Sequence, residues 1–374
     1  MIHGRNKNVF FELLRGGLWE KEVRLSQYKE IDFSAIMQLA EEQSVVGLIT
    51  AGLEKVFDVK VPQEVLLQFV GKTLQIEQRN QAMNSFLTRL INLLRDNDVY
   101  ALLVKGQGIA QCYEKPLWRA CGDIDLLLDS DNYEKAKAYL VPIADNTETE
   151  LRLFKHFGMT INGWIVELHG TLCPRLTRGI DKIVENIQLQ SFQLGKVRTW
   201  KNCDSEIFIP APDDDMIFLF THLLQHFYEE GVGLRQICDI CRFLWVYNDS
   251  LDKSLLEKRL YDMGIVAEWK SFAALYVDYL DMPVDAIPFY SSESRWKKKS
   301  QKICEYVLKV GNFGHNKVSV KSYRNPLMKK IMSLVRRTTD SLQHFFIFPR
   351  NTVLVWFHML LTGVLVVSER KIHK

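Results

Sequence analysis

Two aspartates separated by one residue, Asp123 and Asp125, sit in the run Arg119-Ala-Cys-Gly-Asp-Ile-Asp-Leu-Leu-Leu128 of a 374-residue chain. The second half of that run predicts a strand, on which alternate side chains share a face. Asp123 and Asp125 then project together, with Ile124, Leu126 and Leu128 on an apolar back. A third carboxylate, Glu167, lies on a nearby strand-like run. Three hard oxygen donors suit one or two Mg2+ ions, which keep waters and substrate phosphates in their shells. Two such ions can clamp the attacking and leaving oxygens of phosphoryl transfer. Upstream, Tyr100-Ala-Leu-Leu-Val104 predicts a short strand, Lys105-Gly106-Gln107-Gly108 a turn, and Ile109 to Tyr113 the start of a helix. Backbone N–H groups at such a turn are suited to phosphate. For a lone pair of aspartates, the alternative is a turn followed by a solvated strand face.

Asn162-Gly163 separates two strand-like runs, Phe154–Ile161 and Trp164–His169, and is a strong hairpin signal. A two-residue loop sets Gly158 opposite Glu167 and His156 opposite His169, all on one face, with an open notch beside the Glu167 carboxylate. His156 and His169 thus flank either a metal or an acceptor, or serve as structural residues. His222 and His226 stand one helical turn apart, and Arg235 and Asp239 have the i, i+4 spacing of an ion pair. With Cys238 and Cys241 the two histidines make a zinc site geometrically conceivable. Those cysteines sit among Ile237, Ile240, Phe243 and Leu244, where free cysteine packs as a small hydrophobe, so no zinc is expected. A dinucleotide-binding reading of Gly106-x-Gly108 fails at its third glycine, where Gln111 stands.

These residues need elements to hold them. From Phe10 to about Arg95 apolar residues recur at helical spacing, with Leu66, Leu67 and Val70 as one stripe and Phe86, Leu87, Leu90, Ile91 and Leu94 as another, which predicts several short helices. After the α/β texture of the middle comes a strand at Glu206–Ile209, then a long helix from Pro210-Ala-Pro-Asp213 with an acidic first turn. The expected division is a helical region at 1–95, an α/β core at 96–210 and a helical region at 211–374. Composition, 47% hydrophobic and 25% charged, excludes disordered and collagen-like classes. Seven scattered cysteines and an N-terminus without a long apolar core point to a reducing cytoplasm. Residues 291–350 hold fourteen Lys/Arg against three Asp/Glu, a net +11 in a chain whose total is +3. Residues 351–367 carry no charged side chain, yet fall short of the roughly 20 apolar residues a spanning helix needs. A packed or interfacial helix is expected there, and the basic stretch is suited to an anionic membrane surface or RNA.

The order of strand end Lys105-Gly106, strand Arg119-x-x-Gly-Asp-Ile-Asp, hairpin and Val166-Glu167-Leu168-His169 resembles the DNA polymerase beta-like nucleotidyltransferase superfamily. Within it the chain is most similar to a group of uncharacterised bacterial nucleotidyltransferases, over most of residues 10–245. The resemblance implies an α+β fold with a small mixed-sheet nucleotidyltransferase core flanked by N- and C-terminal helical regions. It implies that Asp123, Asp125 and Glu167 are catalytic and bind Mg2+ or Mn2+, and that Lys105, Gly106, Gln107 and Arg119 bind the nucleotide. His156, His169, His222, His226 and Arg235 would line a substrate pocket. The implied reaction transfers NMP from an NTP, with ATP the expected donor, to a hydroxyl acceptor. The alternative is a catalytically silent nucleotide-binding or protein-interaction scaffold, peripheral to a membrane, for which Gln107 speaks because a small hydroxyl residue is common at that position.

Overall fold

A computed structural model describes residues 4–316 and 326–372 of the chain. Four helices come first: α1 (Gly4–Trp19), α2 (Phe33–Glu42), α3 (Val46–Leu53) and α4 (Gln63–Arg95). The middle holds β1 (Leu102–Val104), α5 (Gly106–Ala110), β2 (Ile124–Leu127), α6 (Ser130–Leu140), β3 (Asn146–Thr147), β4 (His156–Ile161), β5 (Trp164–His169), α7 (Arg178–Leu194), β6 (Val197–Asn202) and β7 (Ser205–Pro210). Helices then run to the end: α8 (Pro212–Glu229), α9 (Leu234–Val246), α10 (Lys253–Asp262), α11 (Val266–Leu280), α12 (Ser294–Val310), α13 (Pro326–Phe345) and α14 (Pro349–Ile372). Local chemistry sets several starts: Asp129 caps α6 by accepting the Asn132 N–H at 2.8 Å, and α8 opens on a proline with Asp213, Asp214 and Asp215 in its first turn.

The fold is α+β, with a five-stranded sheet in the order β1-β2-β5-β4-β3. Only β2 and β5 pair in parallel. The β4–β5 hairpin turns on Asn162 at φ +51 and Gly163 at φ +77, the left-handed pair for which Asn-Gly is suited. Its register sets His156 opposite His169 and Gly158 opposite Glu167, as the turn length predicts. The notch at Gly158 is filled, however. A Cβ there would stand 2.9 Å from Glu148 Oε2, because the Glu148 N–H donates to the Gly158 carbonyl at 2.9 Å and carries its side chain over the glycine.

Strand alternation separates the two faces of the sheet. Ile124, Leu126, Leu128, Phe157, Met159, Val166 and Leu168 form one apolar cluster with Phe86, Leu87, Leu90 and Ile91 of α4 and Tyr133, Ala136 and Leu140 of α6. Each Ile, Leu, Val, Phe or Met among them contributes about 1.5–3 kcal/mol on full burial. The other face carries Asp125, Glu167, His156 and His169 toward α8 and α9. A second, larger apolar cluster joins α1, α3, α8, α9 and α11.

Three features depart from the sequence reading. The first three helices are short, as expected, but residues 63–95 form a single 33-residue helix. On it Leu67 and Val70 are exposed, while Phe69 and Thr73 are buried, since Thr73 Oγ1 bonds Thr50 Oγ1 of α3 at 2.7 Å. A two-stranded sheet, β6–β7, stands where only the second strand is expected.

Near the C-terminus α13 and α14 make a hairpin in which Trp356 Nε1 donates to Thr338 Oγ1 at 3.3 Å. The first half of α14 packs on the body. Thr352 and Val355 are buried, Asn351 Nδ2 donates to Glu268 Oε1 at 2.7 Å, and His358 Nε2 lies 3.1 Å from Asp181 Oδ2. Among the described residues no helix is long and apolar enough to cross a membrane. Of the basic stretch, residues 317–325 lie outside the described residues, as do the side chains of Lys329, Lys330, Arg336 and Arg337.

Candidate functional site

Parallel pairing of β2 with β5 sets Asp125 beside Glu167, and the β4–β5 register adds His156 and His169 to the same face. Asp125 Oδ1 lies 2.8 Å from His169 Nε2 and accepts a hydrogen bond from Lys105 Nζ at 3.0 Å. Glu167 Oε2 lies 3.1 Å from His156 Nε2 and 3.5 Å from His169 Nε2. These groups floor a cleft of about 350 Å3. Asp123, Lys105, Gly106 and Arg119 complete its sheet side, and His222 and His226 of α8 with Arg235 of α9 form its helical wall.

The charges in the cleft are strongly interdependent. The Asp125 carboxylate, then burial and Glu167, push Asp123 up to about 6. Burial would raise Asp125 too, but the Lys105 ammonium and the His169 hydrogen bond hold it below its ordinary value. Glu167 is likewise drawn down against its burial by hydrogen bonds from His156 and His169. Burial opposes a charge on His169, yet its bonds to Asp125 and Glu167 raise its pKa. The three carboxylates thus share the cleft with Lys105, Arg175 and Arg235 and with His169, whose pKa the carboxylates raise.

The Lys105–Gly106 turn is left-handed at both residues, φ +59 and φ +42. A lysine held there stores on the order of 1–3 kcal/mol of strain, a feature that clusters at functional sites. The turn directs the Lys105 ammonium onto Asp125 and leaves Gly106 lining the cleft without a side chain. Gln107 does not line it: its buried side-chain amide is directed at Met83 Sδ.

Arg119 reaches the cleft but is engaged by Asp239, Nε to Oδ1 at 2.7 Å and Nη2 to Oδ2 at 2.6 Å, with Tyr113 Oη donating to the same carboxylate at 2.7 Å. The i, i+4 pairing of Arg235 with Asp239 is thereby corrected, because Arg119 has taken the carboxylate and Arg235 Nη1 donates to the Ala120 carbonyl at 2.8 Å instead. The Nε of Arg235 is buried without a partner.

His222 and His226 face each other, Nε2 to Nε2 at 3.1 Å. Burial, then the Lys105 charge, keeps both neutral, His222 well below its ordinary value and His226 pushed down to about 3. Cys238 and Cys241 are fully buried in the larger apolar cluster.

Sequence reasoning missed Arg175 and Gln225, which also line the cleft. Gln225 falls between the two histidines on α8. Arg175 follows the Glu-Leu-His strand by six residues, and its nearness to a strand end bearing Glu167 is the signal that could have found it.

Among the described residues, the side chains whose ligand atoms come close enough to hold a metal are His156, Glu167 and His169, within 4.8 Å of one another; Asp123 and Asp125 line the same cleft outside that group.

A family model described as an uncharacterised nucleotidyltransferase matches residues 29–281, a span that contains all three carboxylates and both histidine pairs. No curated protein and no solved structure matches the chain.

Proposed function

The chain belongs to this family of uncharacterised nucleotidyltransferases, and from that premise we propose that it transfers NMP from an NTP, with ATP the expected donor, to a hydroxyl of an acceptor. The observation that carries the reading is the convergence of Asp123, Asp125 and Glu167 with the Lys105–Gly106 turn in one cleft. The acceptor oxygen forms a bond to the α-phosphorus while the bond from that phosphorus to the α,β-bridging oxygen breaks, and pyrophosphate leaves with the electron pair. The hydroxyl proton passes to Glu167, which His156 and His169 hold ionised, and from that partly exposed carboxylate to solvent. Mg2+ or Mn2+ held by Asp123 and Asp125, with Glu167 serving as ligand or as the base, would neutralise phosphate charge and align the attacking and leaving oxygens.

Lys105 supplies a cation for the triphosphate, and Gly106 lets phosphates approach the backbone. Arg119 is bound to Asp239, and Arg235, which also lines the cleft, offers a further cation to the substrate. The neutral pair His222–His226 offers hydrogen bonds to an acceptor. In this reading the core at 96–210 supplies the chemistry, and the helical regions at 1–95 and 211–374 shape the pocket. The silent-scaffold alternative keeps its support, because the Gln107 side chain lies against Met83 and not in the cleft and so supplies no contact for phosphate. Calorimetric titration of each NTP with Mg2+, on the wild type and on Asp123→Ala/Asp125→Ala, tests the proposal.

A membrane-peripheral role has its own support. Leu342 and Phe346 of the α13 turn, with Leu354, Phe357 and Leu361 along one stripe of α14, are exposed, Phe346 by 73%. Arg350 begins that stripe, within a segment of net charge +11, a pairing of apolar and basic surface that suits an anionic bilayer. The full chain is expected to co-sediment with phosphatidylglycerol vesicles at low salt and not with phosphatidylcholine vesicles. Phe346→Ser/Phe357→Ser should release it, and failure to bind the anionic vesicles removes the role.

A further inference from the structure

The donors at the front of the sheet are not all oxygen. His156 Nε2 and His169 Nε2 lie 3.1 and 3.5 Å from Glu167 Oε2, and His169 Nε2 lies 2.8 Å from Asp125 Oδ1. Ligand atoms at about 2.1 Å from a shared ion stand roughly 3.0–3.4 Å apart, from octahedral to tetrahedral geometry. The His156–Glu167 separation falls in that range, His169–Glu167 lies just above it and His169–Asp125 just below it, and the ligand atoms of His156, Glu167 and His169 all lie within 4.8 Å of one another. Backbone pairing dictates this closeness: His156 is opposite His169, Glu167 is two residues before it on the same face, and Asp125 is opposite Glu167 on the next strand.

We infer that His156, His169 and Glu167, with Asp125 beside them, form a mixed nitrogen–oxygen metal site that takes a first-row transition-metal dication such as Mn2+, Co2+ or Zn2+ in preference to Mg2+. Mg2+ demands oxygen ligands and releases its waters reluctantly, so two imidazoles in its shell are unfavourable. Imidazole with carboxylate suits the later ions, whose affinity rises along the first row. A hydrogen-bonded His–Glu–His cluster with no ion is the competing account, and it makes no demand on metal identity. The inference deepens the proposed nucleotidyl transfer and rests on it for the ion's role, because Glu167 and Asp125 serve both.

The test uses the full chain, stripped with a chelator and free of nucleotide. Co2+ is titrated while its visible absorption is recorded, alone and against excess Mg2+, on the wild type, His156→Ala and His156→Gln. His156 is only half-buried, so neither change opens the core. The site requires one Co2+ per chain, absorption that survives excess Mg2+, and affinity reduced by more than about tenfold in both variants, at least the loss that follows removal of an outer-shell partner. Near-UV circular dichroism should be unchanged. Co2+ that does not bind, that Mg2+ displaces, or that binds His156→Ala as tightly as the wild type overturns the inference. Calorimetry of Mg2+–ATP on the wild type separates the two readings. Nucleotide binding without any effect of His156 on Co2+ leaves nucleotidyl transfer standing and removes the mixed site, and a His156-dependent Co2+ site in a chain that binds no nucleotide does the reverse.

Discussion

Asparagine in place of Asp125 is expected to lower nucleotidyl transfer by at least about 10³-fold, roughly 4 kcal/mol of transition-state stabilisation at about 1.4 kcal/mol per tenfold. The substitution keeps the shape and an acceptor for Lys105 Nζ, but removes the charge at the centre of the cluster. Without it, Lys105 and His169 lose a shared counter-ion and the cleft loses a hard metal ligand. The fold should survive, because an opposing change accompanies the loss. Asp123, pushed up to about 6 by Asp125 more than by anything else, is freed from its main like-charge neighbour. Single-turnover transfer and urea unfolding on one preparation check both halves. Full turnover, or a chain that no longer folds, contradicts the account.

The second large effect falls on stability. Asp239→Ala should cost about 3–5 kcal/mol, the range for leaving one partner of a buried ion pair uncompensated. Arg119 and Asp239 are 9% and 4% exposed, so water cannot take over the guanidinium's bonds, and Tyr113 Oη loses its acceptor as well. Against a total stability of roughly 5–15 kcal/mol this is a large fraction. Asp239→Asn, which keeps an acceptor but no charge, should fall between the variant and the wild type. Denaturant midpoints measure the difference, and a loss under about 1 kcal/mol for Asp239→Ala would mean that Arg119 finds another partner.

The contrast between these sites shows what was legible in the sequence. The hairpin's turn and register were: Asn162-Gly163 specifies a two-residue turn, the side-chain period of two does the rest, and three cleft residues, His156, Glu167 and His169, follow from it, although the first strand begins at His156 and not at Phe154. The aspartate strand was legible for the same reason, because Ile124, Leu126 and Leu128 mark its back. Strand β6 was not, since its inward residues are polar or aromatic. Arg198 pairs with Asp215, Trp200 packs against the sheet cluster and Asn202 Nδ2 donates to the Asn84 carbonyl at 2.8 Å, while Val197, Thr199 and Lys201 face out. Its turn also places Cys203 at φ +52, a position at which cysteine gives no signal. Helix α4 was legible as helix and in its C-terminal stripe, since Phe86, Leu87, Leu90, Ile91 and Leu94 are all buried, but not in its N-terminal half, where burial of Phe69 and Thr73 depends on α3 presenting Thr50.

The cleft was legible in its carboxylates and less so in its cations. Arg235 and Asp239 satisfy a helix-spacing rule, yet Arg119, 120 residues away in sequence, takes the carboxylate by a bidentate fit that no local pattern encodes. Glu148 over Gly158 comes from a polar loop whose path only the β3–β4 pairing defines. Lysine at a left-handed φ has no compositional cue, and that conformation is what brings Lys105 to Asp125.

The central claim, a metal–nucleotide site at Asp123, Asp125 and Glu167, is tested most directly by calorimetric titration of the four NTPs in Mg2+. The account predicts saturable binding of at least one NTP to the wild type and none to Asp123→Ala/Asp125→Ala with its fold intact. Equal binding by the double variant, or no binding by the wild type with and without candidate acceptors, would contradict it.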